Sequence, residues 1–279
     1  MDYSGEQGRL YDTEETLFER AVNMPLKMKI RQAVGIIQAH EINSLSLGDS
    51  GYFVAFSGGK DSQVIYRLCE MAGVKFKAHF NCTTVDPKEV LHFIHDKYPD
   101  VIWHRPKKSI FKLIEENGCL PMRNRRFCCR LIKEVAGVNH VVVTGVRKAE
   151  SRGRRNHKEA IMSCVNGADK LTLSIILNWT TAEVWEFVRN DIGYWCELYD
   201  KGFRRIGCVL CPNAYYKTRQ KELLCSPRFE YPYKKAIQKC IDKGNYQDFE
   251  NADDVFKWWI GGISKKQYFA NKQQKKLWS

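Results

Sequence analysis

The chain has 279 residues, 44% of them hydrophobic, which suits one sizeable core with a small appendage and leaves too little for two large independent domains. Its formal net charge of +13 calls for an anionic partner, such as nucleic acid, a nucleotide or an anionic surface, without choosing among them. No apolar run approaches the length of a membrane span, and the polar, acidic stretch 1–20 lacks the pattern of a secretion signal, so a cytoplasmic location is expected.

Apolar residues recur at helical spacing from Glu14 to Ala39, among them Leu17, Ala21, Met28, Val34 and Ile37, and predict one or two amphipathic helices before the core. Gly51 to Phe56 reads as a short apolar strand, Ser57 to Asp61 as a loop, and Gln63 to Met71 as a helix stopped at Gly73. A strand over Val74–Phe80, a helix over Pro87–Lys97 and a strand over Val101–His104 continue the alternation. Ser109–Asn117 reads as helix, Val141–Gly145 as a fourth strand entering an arginine-rich loop, and Leu171–Leu177 as a fifth apolar segment. Thr180–Asn190 reads as a helix capped by Thr180 or Thr181. This order predicts the α/β class, with a parallel twisted sheet flanked by helices in a Rossmann-like arrangement. Beyond Tyr199 the pattern weakens, with one short helix near Pro232–Cys240 before a lysine-rich end. The expected organisation is an N-terminal helical segment (1–48), an α/β domain (49–212) and a small, mostly helical, basic and aromatic C-terminal extension (213–279).

Ser57-Gly58-Gly59-Lys60-Asp61-Ser62 falls where an apolar strand hands over to a helix, so backbone N–H groups and the helix dipole converge on one anion site. Gly58 and Gly59 permit close backbone approach, Lys60 supplies charge, and Ser57 and Ser62 supply hydroxyl donors. The spacing departs from Gly-x4-Gly-Lys-Ser/Thr, which disfavours a kinase or GTPase.

Among eleven cysteines, Cys128 and Cys129 are adjacent, and Cys208 and Cys211 follow far downstream as Cys-x-x-Cys. In a reducing compartment such groups are better read as metal or redox thiols than as disulfides. Four thiolates suit a [4Fe-4S] cluster or Zn2+, and the neighbouring Arg123, Arg125, Arg126, Arg130, Arg204 and Arg205 would offset their charge. Spacing alone leaves cluster, zinc and unrelated thiols open. Of the rest, Cys82, at the end of the second strand, is the one placed where such folds bind ligands.

Ser57 to Ser62 after an apolar strand resembles the PP-loop of the ATP pyrophosphatase superfamily, in its PAPS reductase-like branch. Thr144-Gly145-Val146-Arg147-Lys148-Ala149-Glu150-Ser151 is similar to that family's Gly-x-Arg-x-x-Glu-Ser segment. Trp179 with Thr181 to Trp185, and Leu198-Tyr199-Asp200-Lys201-Gly202-Phe203 to Cys208, resemble its later elements. The resemblance spans about Phe53 to Pro212. It implies ATP and Mg2+ as ligands, with Ser57, Gly58, Gly59, Lys60, Asp61, Ser62, Gly145, Arg147 and Arg152 at the nucleotide, and Lys60, Asp61 and Arg147 in catalysis. The cysteine pattern is similar to that of adenylylsulfate reductases and of the ATP pyrophosphatase in DNA phosphorothioation systems. On that resemblance Cys128, Cys129, Cys208 and Cys211 hold a [4Fe-4S] cluster, with zinc as the alternative.

Sulfonucleotide reductases also carry a Glu-Cys-Gly motif near the C-terminus, and this sequence does not match it; its last cysteine is Cys240. The expected function is therefore adenylation of an oxyanion, with nucleic-acid phosphate, DNA above all, as acceptor, for sulfur incorporation alongside a cysteine desulfurase or persulfide donor and other modification subunits. Arg154, Arg155, Arg204, Arg205, Lys217 and Arg219, interleaved with aromatics, are the candidate nucleic-acid contacts; a basic surface over a small aromatic core accounts for them as well. A thioredoxin-linked sulfonucleotide reductase with Cys82 or Cys240 as nucleophile, a tRNA-thiolating enzyme, and an ATP-sensing nucleic-acid-binding subunit are the competing readings.

Overall fold

A computed structural model describes residues 24–133, 135–150, 161–163 and 171–277. The chain divides into two compact units. One comprises residues up to His79, Asp100–Ile102 and Gly137–Trp195; the other comprises Phe80–Pro99, Trp103–Ala136 and Cys196 onward.

The first unit opens with helices α1 (Leu26–Ala39) and α2 (Glu41–Leu47). Strand β1 (Tyr52–Phe56) follows, with Tyr52 and Val54 fully buried, as an apolar five-residue run at the centre of a sheet requires. Helix α3 (Lys60–Ala72) buries Val64, Ile65, Leu68 and Cys69 on one face and ends at Gly73, whose φ of 67° closes the helix in the left-handed conformation. Burial of each large side chain of this kind contributes about 1.5–3 kcal/mol.

Strands β2 (Phe76–Asn81), β3 (Ile102–His104), β4 (Val141–Val143), β5 (Ile161–Ser163) and β6 (Leu171–Leu173) complete the sheet, in the order β3-β2-β1-β4-β6-β5. Strand β4 runs parallel to β1, with Val142 opposite Phe53, and parallel to β6, with Val142 opposite Thr172. Strand order reverses between β1 and β4, and the loops leaving the carboxyl ends of such a pair flank the crevice where open α/β sheets bind ligands.

Strand β5, which the sequence pattern does not mark, is antiparallel to β6. The fifth apolar segment is extended only over Leu171–Leu173 and then turns, because Leu177 N–H bonds back to the Ser174 carbonyl. Helix α6 (Thr181–Phe187) passes into a π-helical turn, Val188–Ile192, that Gly193 stops. Thr180 caps α6 in a reciprocal box with Glu183.

The second unit contains α4 (Lys88–Lys97), α5 (Ile110–Asn117) and the π-helical turn Cys129–Lys133. After residue 213 it carries α7 (Tyr216–Cys225), α8 (Glu230–Asp242), α9 (Ala252–Gly261) and α10 (Lys265–Leu277). The sequence reading expects one short helix there. The additional helices form because Phe229, Tyr233, Ile237, Phe256 and Trp259 bury against Ile110, Leu113 and Ile114 in one core, and because Asn251 caps α9 through the Asp254 N–H. No helix among the described residues is long and apolar enough to cross a membrane.

Candidate functional site

Gly58 adopts a φ of 70°, a conformation open to glycine at little cost, and Gly59 caps α3 in an extended conformation. The Ser62 hydroxyl donates to the Gly59 carbonyl at 2.8 Å and accepts from the Ser57 N–H at 3.2 Å, while the Ser57 hydroxyl lies 3.3 Å from it. Residues 57–62 thus fold back on themselves at the N-terminus of a 13-residue helix, the positive end of its dipole.

Asp61 is the acidic residue in the first turn of α3, and both its oxygens hold a cation. Lys60 Nζ lies 2.8 Å from Oδ2, and Arg147 Nε lies 2.7 Å from Oδ1. Lys60 and Arg147 are 4% and 2% exposed, so this ion triad sits in a poorly solvated place where unbalanced charge is costly. Arg147 follows β4 and reaches the Trp179 carbonyl and the Thr181 hydroxyl through Nη1, each at 3.3 Å.

Gly145 makes this approach possible. A β-carbon there would fall 3.1 Å from Asp61 Cβ and 3.2 Å from the Asp61 carbonyl carbon and oxygen. The loop after β4 and the first turn of α3 are therefore brought together by the lack of one methyl group. Mg2+ at Asp61 would share or displace Lys60 and Arg147, and the unused lone pairs of a carboxylate permit sharing.

The second unit gathers Cys128, Cys129, Cys208 and Cys211. A hydrogen bond with Cys129, then burial and the charges of Cys129, Cys208 and Cys211, push the Cys128 thiol far up. Burial and then Cys208 raise Cys211. The charge of Cys208 is the largest influence raising Lys133, which also hydrogen-bonds it. These four sulfurs therefore share one electrostatic neighbourhood.

The Cys208–Cys211 turn is held tightly: Val209 N–H donates to the Val85 carbonyl at 2.8 Å, and Leu210 N–H to Glu222 Oε2 at 2.7 Å. Leu210 has a φ of 60°, a left-handed conformation that costs a non-glycine residue about 1–2 kcal/mol. Donor type suits zinc or an iron–sulfur cluster. Among the described residues, however, no three His, Cys, Asp or Glu side chains close into a metal-holding group.

Arg204, Arg205 and Lys217 are exposed, whereas Arg219 is 5% exposed. Arg152, Arg154 and Arg155 lie outside the described residues. Cys240 is fully buried, its sulfur 3.5 Å from the Ile114 carbonyl, and burial pushes its thiol up to about 11. Cys82 is half-buried, and burial raises it as well. Glu222, which sequence reasoning misses, is pushed up to about 7 by burial against the opposing pull of Leu210 N–H and Arg219.

The chain is similar to several known proteins. An uncharacterized protein of Methanocaldococcus jannaschii is 26% identical over 271 residues, 90% of this chain and 54% of that protein, so the chain spans about half the length of this relative. A probable FAD synthase of Schizosaccharomyces pombe is 25% identical over 169 residues, 59% of this chain and 62% of that one. The structure of Candida glabrata FMN adenylyltransferase in complex with FAD and inorganic pyrophosphate aligns with a TM-score of 0.48 and 19% identity, over 72% of this chain and 74% of that one. Residues 51–214, more than half of the chain, match the phosphoadenosine phosphosulfate reductase domain and contain the glycine loop, Arg147 and all four paired cysteines; the chain belongs to that family.

Proposed function

We propose that the protein is an ATP pyrophosphatase that transfers the adenylyl group of ATP to an oxyanion, with nucleic-acid phosphate as acceptor, in a sulfur-incorporation pathway such as DNA phosphorothioation. The observation that carries this reading is the Lys60–Asp61–Arg147 triad at the N-terminus of α3. Two buried cations are held beside a backbone anion site by a single carboxylate. When ATP binds, its phosphates compete with Asp61 for Lys60 and Arg147, and the freed carboxylate becomes available to Mg2+. The acceptor oxygen attacks the α-phosphorus, the bond to the bridging oxygen breaks, and pyrophosphate leaves with its charge balanced by the same cations.

In this proposal Cys128, Cys129, Cys208 and Cys211 hold a [4Fe-4S] cluster, which would supply redox or sulfur-handling chemistry when bound. A cysteine desulfurase or another persulfide donor supplies sulfur: the terminal persulfide sulfur attacks the adenylated phosphorus and AMP leaves, and a second thiol then cleaves the S–S bond, leaving the sulfur on phosphorus and the two thiols as a disulfide. The family domain also supports a sulfonucleotide reductase reading. That reading needs a mobile, nucleophilic thiol; Cys240 is buried with its thiol pushed up to about 11, and Cys82 is half-buried with its thiol raised by burial.

The test is pyrophosphate release from ATP by the full chain, without acceptor and with duplex DNA, tRNA or adenylyl sulfate, together with iron and zinc content after anaerobic purification. DNA-stimulated release in iron-loaded protein is the expected result. No release with any acceptor overturns the adenylation reading, and stimulation by tRNA alone reassigns the acceptor. Stoichiometric zinc in place of iron removes the cluster from the proposal.

A further inference from the structure

The second unit contains a cleft of about 420 Å3 bounded by α7, the end of α9 and the turn at 122–124. This volume is in the range of small-molecule sites. Arg123 and Arg219 contribute two guanidinium groups to its lining, and no carboxylate among the described residues lines it. Tyr215, Tyr216 and Trp258 supply aromatic surface.

Arg219 is the unusual member. It is 5% exposed, donates from Nη1 to the Trp259 carbonyl at 2.8 Å, and leaves Nε buried with no hydrogen-bond partner among the described residues. A buried guanidinium donor without an acceptor costs about 1–3 kcal/mol or more, and an anion drawn to this guanidinium from the cleft offsets that cost through its charge. Burial and then the charge of Arg123 press the Arg219 pKa down, which is the setting of a cation waiting for an anion. Glu222 acts in the opposite direction, but its carboxylate is engaged by Leu210 N–H.

The backbone is shaped around this guanidinium. Gly262, with a φ of 67°, terminates α9, and a β-carbon there would fall 2.5 Å from Arg219 Nη2 and 3.2 Å from Tyr216 Cβ. Any side chain at 262 would force the end of the guanidinium to shift. At the rim, the Tyr215 and Tyr216 rings lie 4.5 Å apart, and Tyr215 is 56% exposed. Arg123 is exposed and anchored through Nε to the Pro212 carbonyl at 3.1 Å.

Two guanidiniums suited to phosphate oxygens, beside open aromatic faces, are the recognition set for one nucleotide unit. We propose that this cleft binds a nucleotide unit, its phosphate on Arg219 and Arg123 and its base against Tyr215. A free mononucleotide and one residue of a single strand present the same chemistry. The cleft residues are not those of the glycine loop, so the inference stands whether or not that loop adenylates an acceptor.

The experiment is isothermal titration of the full chain with thymidine 5′-monophosphate and with a ten-nucleotide single-stranded oligothymidylate. A non-hydrolysable ATP analogue is first added to saturation. Binding of the analogue, recorded separately, reports on the glycine loop; the second titration reports on the cleft. Saturable binding that weakens about tenfold in Tyr215→Ala, and by a similar factor in Arg123→Ala, is expected, since loss of one stacking face or one phosphate contact has effects of that order. Both residues are exposed, so the variants should stay folded, with Arg123→Ala melting slightly lower for the lost bond to the Pro212 carbonyl. Oligonucleotide binding at least tenfold tighter than mononucleotide binding identifies a strand as the source; equal affinity identifies a free nucleotide. Lack of saturable binding by either titrant, or binding undiminished in both variants, overturns the proposal.

Discussion

Arg147 Nε and Asp61 Oδ1 meet at 2.7 Å across 86 residues of sequence, joining the loop after β4 to the first turn of α3. The pair fixes where two parallel strands on either side of the sheet's switch point present their loops. Arg147 reaches the Trp179 carbonyl and the Thr181 hydroxyl with the same guanidinium, so a single side chain orders three segments. A lysine retains the charge and cannot span all three acceptors.

Replacing Arg147 with alanine should therefore lower ATP turnover by about 10²–10³-fold, the scale of losing one preorganised cation or donor at a reacting group. Arg147→Lys should recover only part of that loss. Steady-state pyrophosphate release, read beside a thermal melt, checks both. Turnover near wild type in a folded Arg147→Ala protein would remove this residue from the mechanism.

Gly145→Ala tests the close approach itself. The added methyl meets Asp61 backbone atoms at 3.2 Å, and backbone cannot swing aside as a flexible side chain can. A loss of about 1–3 kcal/mol in stability is expected, with ATP affinity reduced more than the melting temperature alone suggests. Gly73→Ala is the control. Its β-carbon meets open space, so only the left-handed φ is penalised, by about 1 kcal/mol, and nucleotide affinity should be unchanged.

Cys240→Ala separates two chemistries. The thiol is buried and held neutral, so its removal should leave pyrophosphate release within about twofold of wild type and cost about 1 kcal/mol of stability through lost packing. Loss of adenylyl-sulfate reduction in this variant, with the fold intact, would restore the reductase reading.

The strand, loop and helix over 52–72 were legible because everything that makes them is adjacent in sequence: an apolar run, two glycines, then a helical period. The Arg147–Asp61 contact was not, since no local pattern tells which carboxylate an arginine 86 positions away will face. Helices α7 to α10 were only partly legible. Phe229 and Tyr233, among the aromatics interleaved with the basic residues, read equally well as stacking surface or as core, and burial against α5 decides for core. Glu222 left no mark because a buried carboxylate on a helix of mixed composition looks like any solvated glutamate until Leu210 N–H is placed above it.

Glu222 also gives the molecule a pH dependence whose sign can be worked out. Its carboxyl titrates near 4.5 when unfolded and is pushed up to about 7 in the fold by burial. Between these values the folded state binds the extra proton, so stability falls as pH rises from about 4.5 to 7 and levels off above. The shift corresponds to about 3 kcal/mol at most. Glu222→Gln keeps an acceptor for Leu210 N–H and cannot ionise. The variant should match wild type near pH 4.5 and exceed it progressively to pH 8, a difference in which the other titrating groups cancel. Denaturant midpoints for both proteins at half-unit pH steps measure it. Parallel curves across the range would show that Glu222 titrates as an ordinary surface carboxylate, and the Cys208–Cys211 turn would then rest on an acceptor ionised from about pH 6 upward.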